Sequence, residues 1–144
     1  MARKTTDTGA SEATIQSAIM HTLGPRRDMV VHRNNVGVAL HTDRNGRTQH
    51  VRYGVGGTGA PDLLVEVLVA GGPGTGRPGV WAAVWLECKT YDGAIRPEQT
   101  VWHEAARSRG RHAYIVRSVE DALAAVAEVQ RNATATATEG APSR

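Results

Sequence analysis

Asp62, Glu87 and Lys89 are the residues of this chain whose types and spacing could do chemistry together. Glu87 and Lys89 stand two apart inside the apolar run "VWLECKT", 84–90. On a strand, alternate side chains share a face, so these two charges point the same way and turn outward. Cys88 then points with Leu86 into the core and reads as a small apolar residue rather than a nucleophile. Asp62 opens the preceding apolar run, just after Gly59–Ala60–Pro61. Two neighbouring strands would set Asp62 beside Glu87. Close carboxylates repel unless a positive charge sits between them. A divalent cation suits that gap, because Mg²⁺ takes one or two carboxylates and fills its shell with waters and substrate oxygens. Glu12 is a third carboxylate, in line with the apolar residues Ile15 and Ile19, and reads equally well as a helix-dipole or capping acid. Gln99 falls one turn into a helix after the lysine strand, where a merely solvated glutamine is the alternative.

Composition singles out the lysine independently. Of 17 cations, 15 are Arg; one lysine is Lys4 and the other is Lys89. Lysine offers a compact point charge where arginine offers a planar fork, so the exchange is not neutral. Formal net charge is +3, unevenly spread. Residues 21–53 hold six Arg against two Asp, residues 92–117 five Arg against three acids, and 54–91 is slightly acidic. Basic flanks around an acidic centre suit a phosphate-bearing partner over a metal site, although a general bias toward Arg accounts for the same pattern.

The elements that must position these residues can be read in order. Residues 1–10 carry no periodicity and are expected to be disordered. Ser11 caps a helix to about Leu23, with Ile15, Ile19 and Leu23 on one face. A strand over 29–34 follows, then a ribbon turning at Asn45–Gly46. A glycine-rich turn leads into a strand over 62–70, a loop over 71–79, and a longer strand over 80–90. Pro97 starts a helix that ends near Gly110. A strand over 112–117 precedes a helix opened by Ser118 and Asp121, running to about Arg131. The low-complexity segment 132–144 is expected to be disordered. The order predicts one α/β domain over 11–131, with a parallel, right-handed crossover between 80 and 117.

Several chemistries are set aside. "GVGGTG" (54–59) and "GTGRPG" (74–79) match a dinucleotide glycine pattern, but neither opens a helix, so both are turns. The six His lack ligand spacing. One Cys excludes an intrachain disulfide and a Cys-based zinc site. No apolar run reaches the roughly 18 residues of a membrane helix. The basic start has no apolar segment behind it, so a signal peptide is not expected and a cytoplasmic location is.

Pro61–Asp62, 24 residues, then Glu87–Cys88–Lys89 is the arrangement of the PD-(D/E)xK nuclease superfamily. With "SEATIQSAI", "HRNNVG", "RYGVGGTGAPDLLV", "LECKTYDGAIRPEQTVWHEAARSRG" and "AYIVRSVEDAL", the chain resembles the VRR-NUC family in its compact stand-alone phage and bacterial form, over about Ser11 to Val129. Cys88 stands where such families more often carry an aliphatic residue, and the 71–79 loop is longer than the family's. The resemblance implies a restriction-endonuclease-like core: a mixed central sheet flanked by helices. It implies hydrolysis of phosphodiester bonds with Mg²⁺ or Mn²⁺, leaving a 5′-phosphate and a 3′-hydroxyl. Asp62 and Glu87 would bind metal, with the Cys88 backbone carbonyl as a third ligand and Glu12 acting through a water or a second metal. Lys89 would act on the water and the scissile phosphate, supported by Gln99. Arg33, Asn34, Asn35, Arg52 and Tyr53 would hold DNA. A homodimer cutting branched DNA such as four-way junctions is expected. The alternatives are an end-processing or restriction-like nuclease, or a non-catalytic DNA-binding module.

Overall fold

The computed structural model describes residues 9–139. Nine elements follow one another: α1 (Glu12–Leu23), β1 (Met29–Arg33), β2 (Gly37–Thr42), β3 (Thr48–Tyr53), β4 (Leu63–Gly72), β5 (Arg77–Cys88), α2 (Pro97–Ser108), β6 (His112–Val116) and α3 (Val119–Glu139). Four strands form a mixed sheet in the order β1-β4-β5-β6. β1 and β5 pair antiparallel with β4, while β6 runs parallel to β5. The parallel β5–α2–β6 crossover is as expected. β2 and β3 form a separate two-stranded ribbon. This is a mixed α/β architecture with a central sheet flanked by helices.

The alternation along β5 sorts its residues to two layers. Val84, Leu86 and Cys88 join Leu63, Val65 and Val67 of β4 in a core closed by Ile15, Ile19 and Leu23 of α1 and Ala122, Val126 and Val129 of α3. Trp85 turns to the other layer, against Ala106 and Trp102 of α2 and Ala113 of β6. Each fully buried aliphatic side chain contributes ~1.5–3 kcal/mol, so the inner half of β5 is strongly held. That half ends at the candidate site.

Three sequence expectations need correction. The 71–79 loop is instead the end of a hairpin: β4 runs to Gly72, β5 starts at Arg77, and Gly72 pairs with Arg77 across register shifts at Leu68/Ala70 and Ala70/Gly72. The glycines that signalled a loop serve irregular strand pairing. Gly71, at φ +66°, has the Pro78 carbonyl oxygen 2.1 Å from where a Cβ would stand. A glycine at a bulge is indistinguishable, by composition, from one in a loop. Second, α3 continues beyond Arg131 to Glu139, so residues 132–139 are helical rather than disordered. Alanine favours the helix, and Thr134 and Thr136 bond back to the Gln130 and Asn132 carbonyls at 3.0 Å each, so the threonines too are accommodated. Third, Glu87 and Lys89 are buried, at 2% and 3% exposure, not turned outward to solvent. The rest of the two expected tails, 1–8 and 140–144, lies outside the described residues. Among those described, no helix is long and apolar enough to cross a membrane.

Candidate active site

Asp62 is fixed from both sides. Its carbonyl oxygen accepts the Asn34 N–H at 2.7 Å, extending the β1–β4 ladder by one bond. Its Oδ2 accepts the Cys88 N–H at 2.9 Å, so the carboxylate takes the place of a backbone partner one step beyond Leu63–Leu86. Burial pushes the Asp62 carboxyl above the usual aspartate range, partly offset by the Cys88 N–H and the Lys89 charge.

Glu87 sits at the end of β5, facing α2. The Gln99 amide nitrogen donates to Glu87 Oε1 at 2.5 Å, while Gln99 Oε1 accepts the Arg96 N–H at 2.9 Å. An amide has one acceptor and one donor end. The helix start therefore decides which end of Gln99 meets the glutamate. Lys89 Nζ lies 3.3 Å from the same Oε1 and 3.2 Å from Glu12 Oε1, and its N–H bonds to the Val116 carbonyl at 3.0 Å, holding it in line with β6. All the attention falls on one glutamate oxygen: Glu87 Oε2 is buried with no hydrogen-bond partner among the described residues. Burial first and Asp62 second push the Glu87 carboxyl up to about 7, against the pull of Lys89.

Asp62, Glu87 and Gln99 line one cleft of about 590 Å³, where they meet Asn35, Arg52, Tyr53 and Arg96; Lys89 and Glu12 are outside that lining. The cleft exists because the loop 54–61 is tied down on three sides. Asn34 Nδ2 donates to the Val55 and Pro61 carbonyls at 2.8 and 2.9 Å, and its Oδ1 accepts the Val55 N–H at 2.9 Å. Trp102 Nε1 donates to the Gly56 carbonyl at 2.9 Å. Gly59, at φ +81°, lets the loop touch the first turn of α2; the Glu98 carbonyl oxygen lies 2.3 Å from where a Cβ would stand.

The DNA-contact candidates divide accordingly. Asn35, Arg52 and Tyr53 are exposed along the cleft, and Arg52 bonds Thr58 at 2.7 Å. Asn34 is buried and its amide is consumed by the loop, so it is a staple rather than a free donor to phosphate. Arg33 borders a neighbouring hollow with His32 and Glu66, although its charge still favours the Asp62 carboxylate. Arg96 went unread in the sequence; its place immediately before Pro97 and the "PEQ" run was the available signal. Cys88 lies in the apolar core with its thiol pushed up to about 12, mainly by burial and then by the Asp62 and Glu87 charges. It is no nucleophile.

A cation fits this pocket on two observations: the Glu87 Oε2 left without a hydrogen-bond partner among the described residues, and two carboxyls whose charged forms are disfavoured by burial, Glu87 further by Asp62 and Asp62 by Glu12. A dication reverses both effects. Among the described residues no group of three or more His, Cys, Asp or Glu side chains could hold a metal ion; Mg²⁺ needs only one or two protein carboxylates. Comparison with protein-family models, curated proteins and solved structures returns no match for this chain.

Proposed function

We propose that the protein is a Mg²⁺- or Mn²⁺-dependent DNA endonuclease of the VRR-NUC type, built on a PD-(D/E)xK core and acting on branched DNA as a homodimer. The observation that carries this reading is the buried, partnerless Glu87 Oε2 beside Asp62 and Lys89. Asp62 and Glu87 would hold the cation, with the Cys88 main-chain carbonyl as third ligand and Glu12 at greater remove. When bound, such a cation supplies a Lewis acid for phosphate oxygens and a route to a nucleophile at neutral pH. The chain's own residues do the positioning. Gln99 fixes the Glu87 rotamer through Oε1 and leaves Oε2 free. Lys89, held between Glu12 and Glu87, presents one fixed positive charge to the scissile phosphate and orients the attacking water. Asn35, Arg52, Tyr53 and Arg96 line the approach and suit backbone positioning rather than base reading. Two sites related by a two-fold axis would cut the two strands of a junction symmetrically.

The test is a cleavage panel of four-way junction, flap, splayed and linear DNAs, with and without Mg²⁺ or Mn²⁺. Metal-dependent, paired cuts in the junction are expected, leaving 5′-phosphates. Lys89→Ala should slow cleavage by about 100-fold or more, the scale of a positioned acid–base group. Efficient cutting of linear duplex without junction cutting would establish the end-processing or restriction-like alternative. Binding without cutting under every metal would establish a non-catalytic module.

A further inference from the structure

Apart from Arg52 and Tyr53 at its base, the β2–β3 ribbon has no assigned part in the chemistry, yet every residue from Val38 to Thr42 and from Thr48 to Tyr53 is exposed. It is anchored only at its base. There Tyr53 packs over Gly37, Gly54 abuts the Asn35 carbonyl, and Arg52 bonds Thr58. The base also walls the cleft, through Val38, Arg52 and Tyr53. The tip is a hydrogen-bonded turn: Asp43 Oδ1 accepts the Asn45 and Arg47 N–H groups at 2.8 and 2.9 Å, and Gly46 takes φ +76°. Asp43 is thereby spent on the turn, while the Arg44 and Arg47 side chains make no hydrogen bond or ion pair among the described residues. Residues 37–53 carry three Arg against that one acid.

We propose that this ribbon is a DNA arm that lies in the major groove of the duplex flanking the cleft. The proposal rests on the nuclease reading and adds to it a second contact surface. A two-stranded ribbon fits a major groove about 12 Å wide. Six residues per strand, at ~3.4 Å each, place the tip ~20 Å from the cleft, or about six base pairs along the duplex. The ribbon's surface matches that environment. Register puts Val38 opposite Arg52 and Leu40 opposite His50 on one face, with Leu40 68% exposed; aliphatic side chains there meet thymine methyls, and the tip arginines meet phosphates. A second copy of this chain is the competing occupant of the exposed apolar positions, but two cationic ribbons repel each other.

The test is DNA binding by the full chain in EDTA, read by fluorescence anisotropy, so that it is independent of cleavage. Junctions with arms of about four and about twelve base pairs are titrated across salt. The Arg44→Ala/Arg47→Ala variant is expected to bind the long-armed junction about ten-fold more weakly at ~0.2 M salt, with a log–log salt slope shallower by about 2. Arg44→Lys/Arg47→Lys should restore the slope. Shortening the arms should weaken the natural chain and leave the alanine variant unchanged. If the natural chain binds and the alanine variant matches it in affinity and slope, the arm is overturned while the nuclease reading stands. If Leu40→Ser instead splits a dimer with DNA affinity intact, the ribbon is a contact between copies and the proposal falls. If the natural chain neither binds nor cuts any of the DNAs, the nuclease reading itself fails, and the arm with it.

Discussion

Glu87→Gln should make the metal-free protein more stable at alkaline pH, and not at acid pH. Glu87 is 2% exposed, and burial and then Asp62 raise its carboxyl from an ordinary 4.5 to about 7 against the pull of Lys89. A raised acid pKa means that the folded protein keeps a proton that the unfolded chain loses between those two values. Stability from this group therefore falls as pH rises through that window, and the full penalty applies above it. Its size follows from the shift: at ~1.4 kcal/mol per tenfold, ionising Glu87 in place costs about 3 kcal/mol. Glutamine keeps the volume and the acceptor for Gln99 and never ionises. Its packing differences are the same at every pH, so they cancel when two pH values are compared. Urea unfolding in EDTA, followed by fluorescence of the three Trp residues, should show the variant's advantage over the natural chain growing by about 3 kcal/mol between pH ~4.5 and ~8. An advantage that grows by less than about 1 kcal/mol, or that shrinks, would refute the view that Glu87 is held in a site hostile to its own charge. Adding Mg²⁺ at the higher pH should stabilise the natural chain and leave Glu87→Gln unmoved.

Three further outcomes are expected. Asn34→Ala leaves the Val55 N–H and two carbonyls without their partner; it should cost ~3 kcal/mol and lower Tm by about 10 °C in a thermal melt, with activity reduced through the loosened cleft. Gly59→Ala forces a side chain into the α2 backbone at a φ that disfavours it; refolding yield and Tm should both fall, whereas Gly57→Ala, open on all sides, should be milder. His103 is buried, with neither ring nitrogen hydrogen-bonded among the described residues, and its pKa is lowered by burial and then by Arg107. The unfolded chain therefore takes up a proton that the folded one refuses as pH drops below 6.5, and stability is lost there. Urea midpoints measured from neutral to acid pH should fall less steeply for His103→Leu.

What the sequence made legible was periodicity. The two-residue spacing of Glu87 and Lys89 predicted a shared face, and they share one, meeting at 3.3 Å. The first-turn place of Glu12 allowed a third acid, and the helix brings it to Lys89. What stayed hidden were relationships between distant backbones. Nothing in "HRNNVG" says that Asn34 will be enclosed by a loop 21 residues on, because an asparagine at a strand end is as readily a solvated donor. Glu87 and Lys89 were expected to turn outward because alternation sets them opposite the core-facing Leu86 and Cys88. Their burial depends on α2 and the α1 start closing over them. Glycines misled at 71–79 because a bulge and a loop require the same conformation. The helical end of α3 was masked by its Ala–Thr repeat, whose composition is shared with unstructured segments.

The Cys88 N–H is held by the carboxylate of Asp62, which makes it a probe for isotope exchange. Because that amide is protected by a side chain rather than by a neighbouring strand, its exchange rate reports the state of a single acid. Removing the side chain altogether, as in Asp62→Ala, would also unfasten the last rung between two strands. Asp62→Asn keeps an oxygen for the rung while removing the charge. An asparagine variant therefore tests the charge alone, and an alanine variant tests the charge and the edge of the sheet at once.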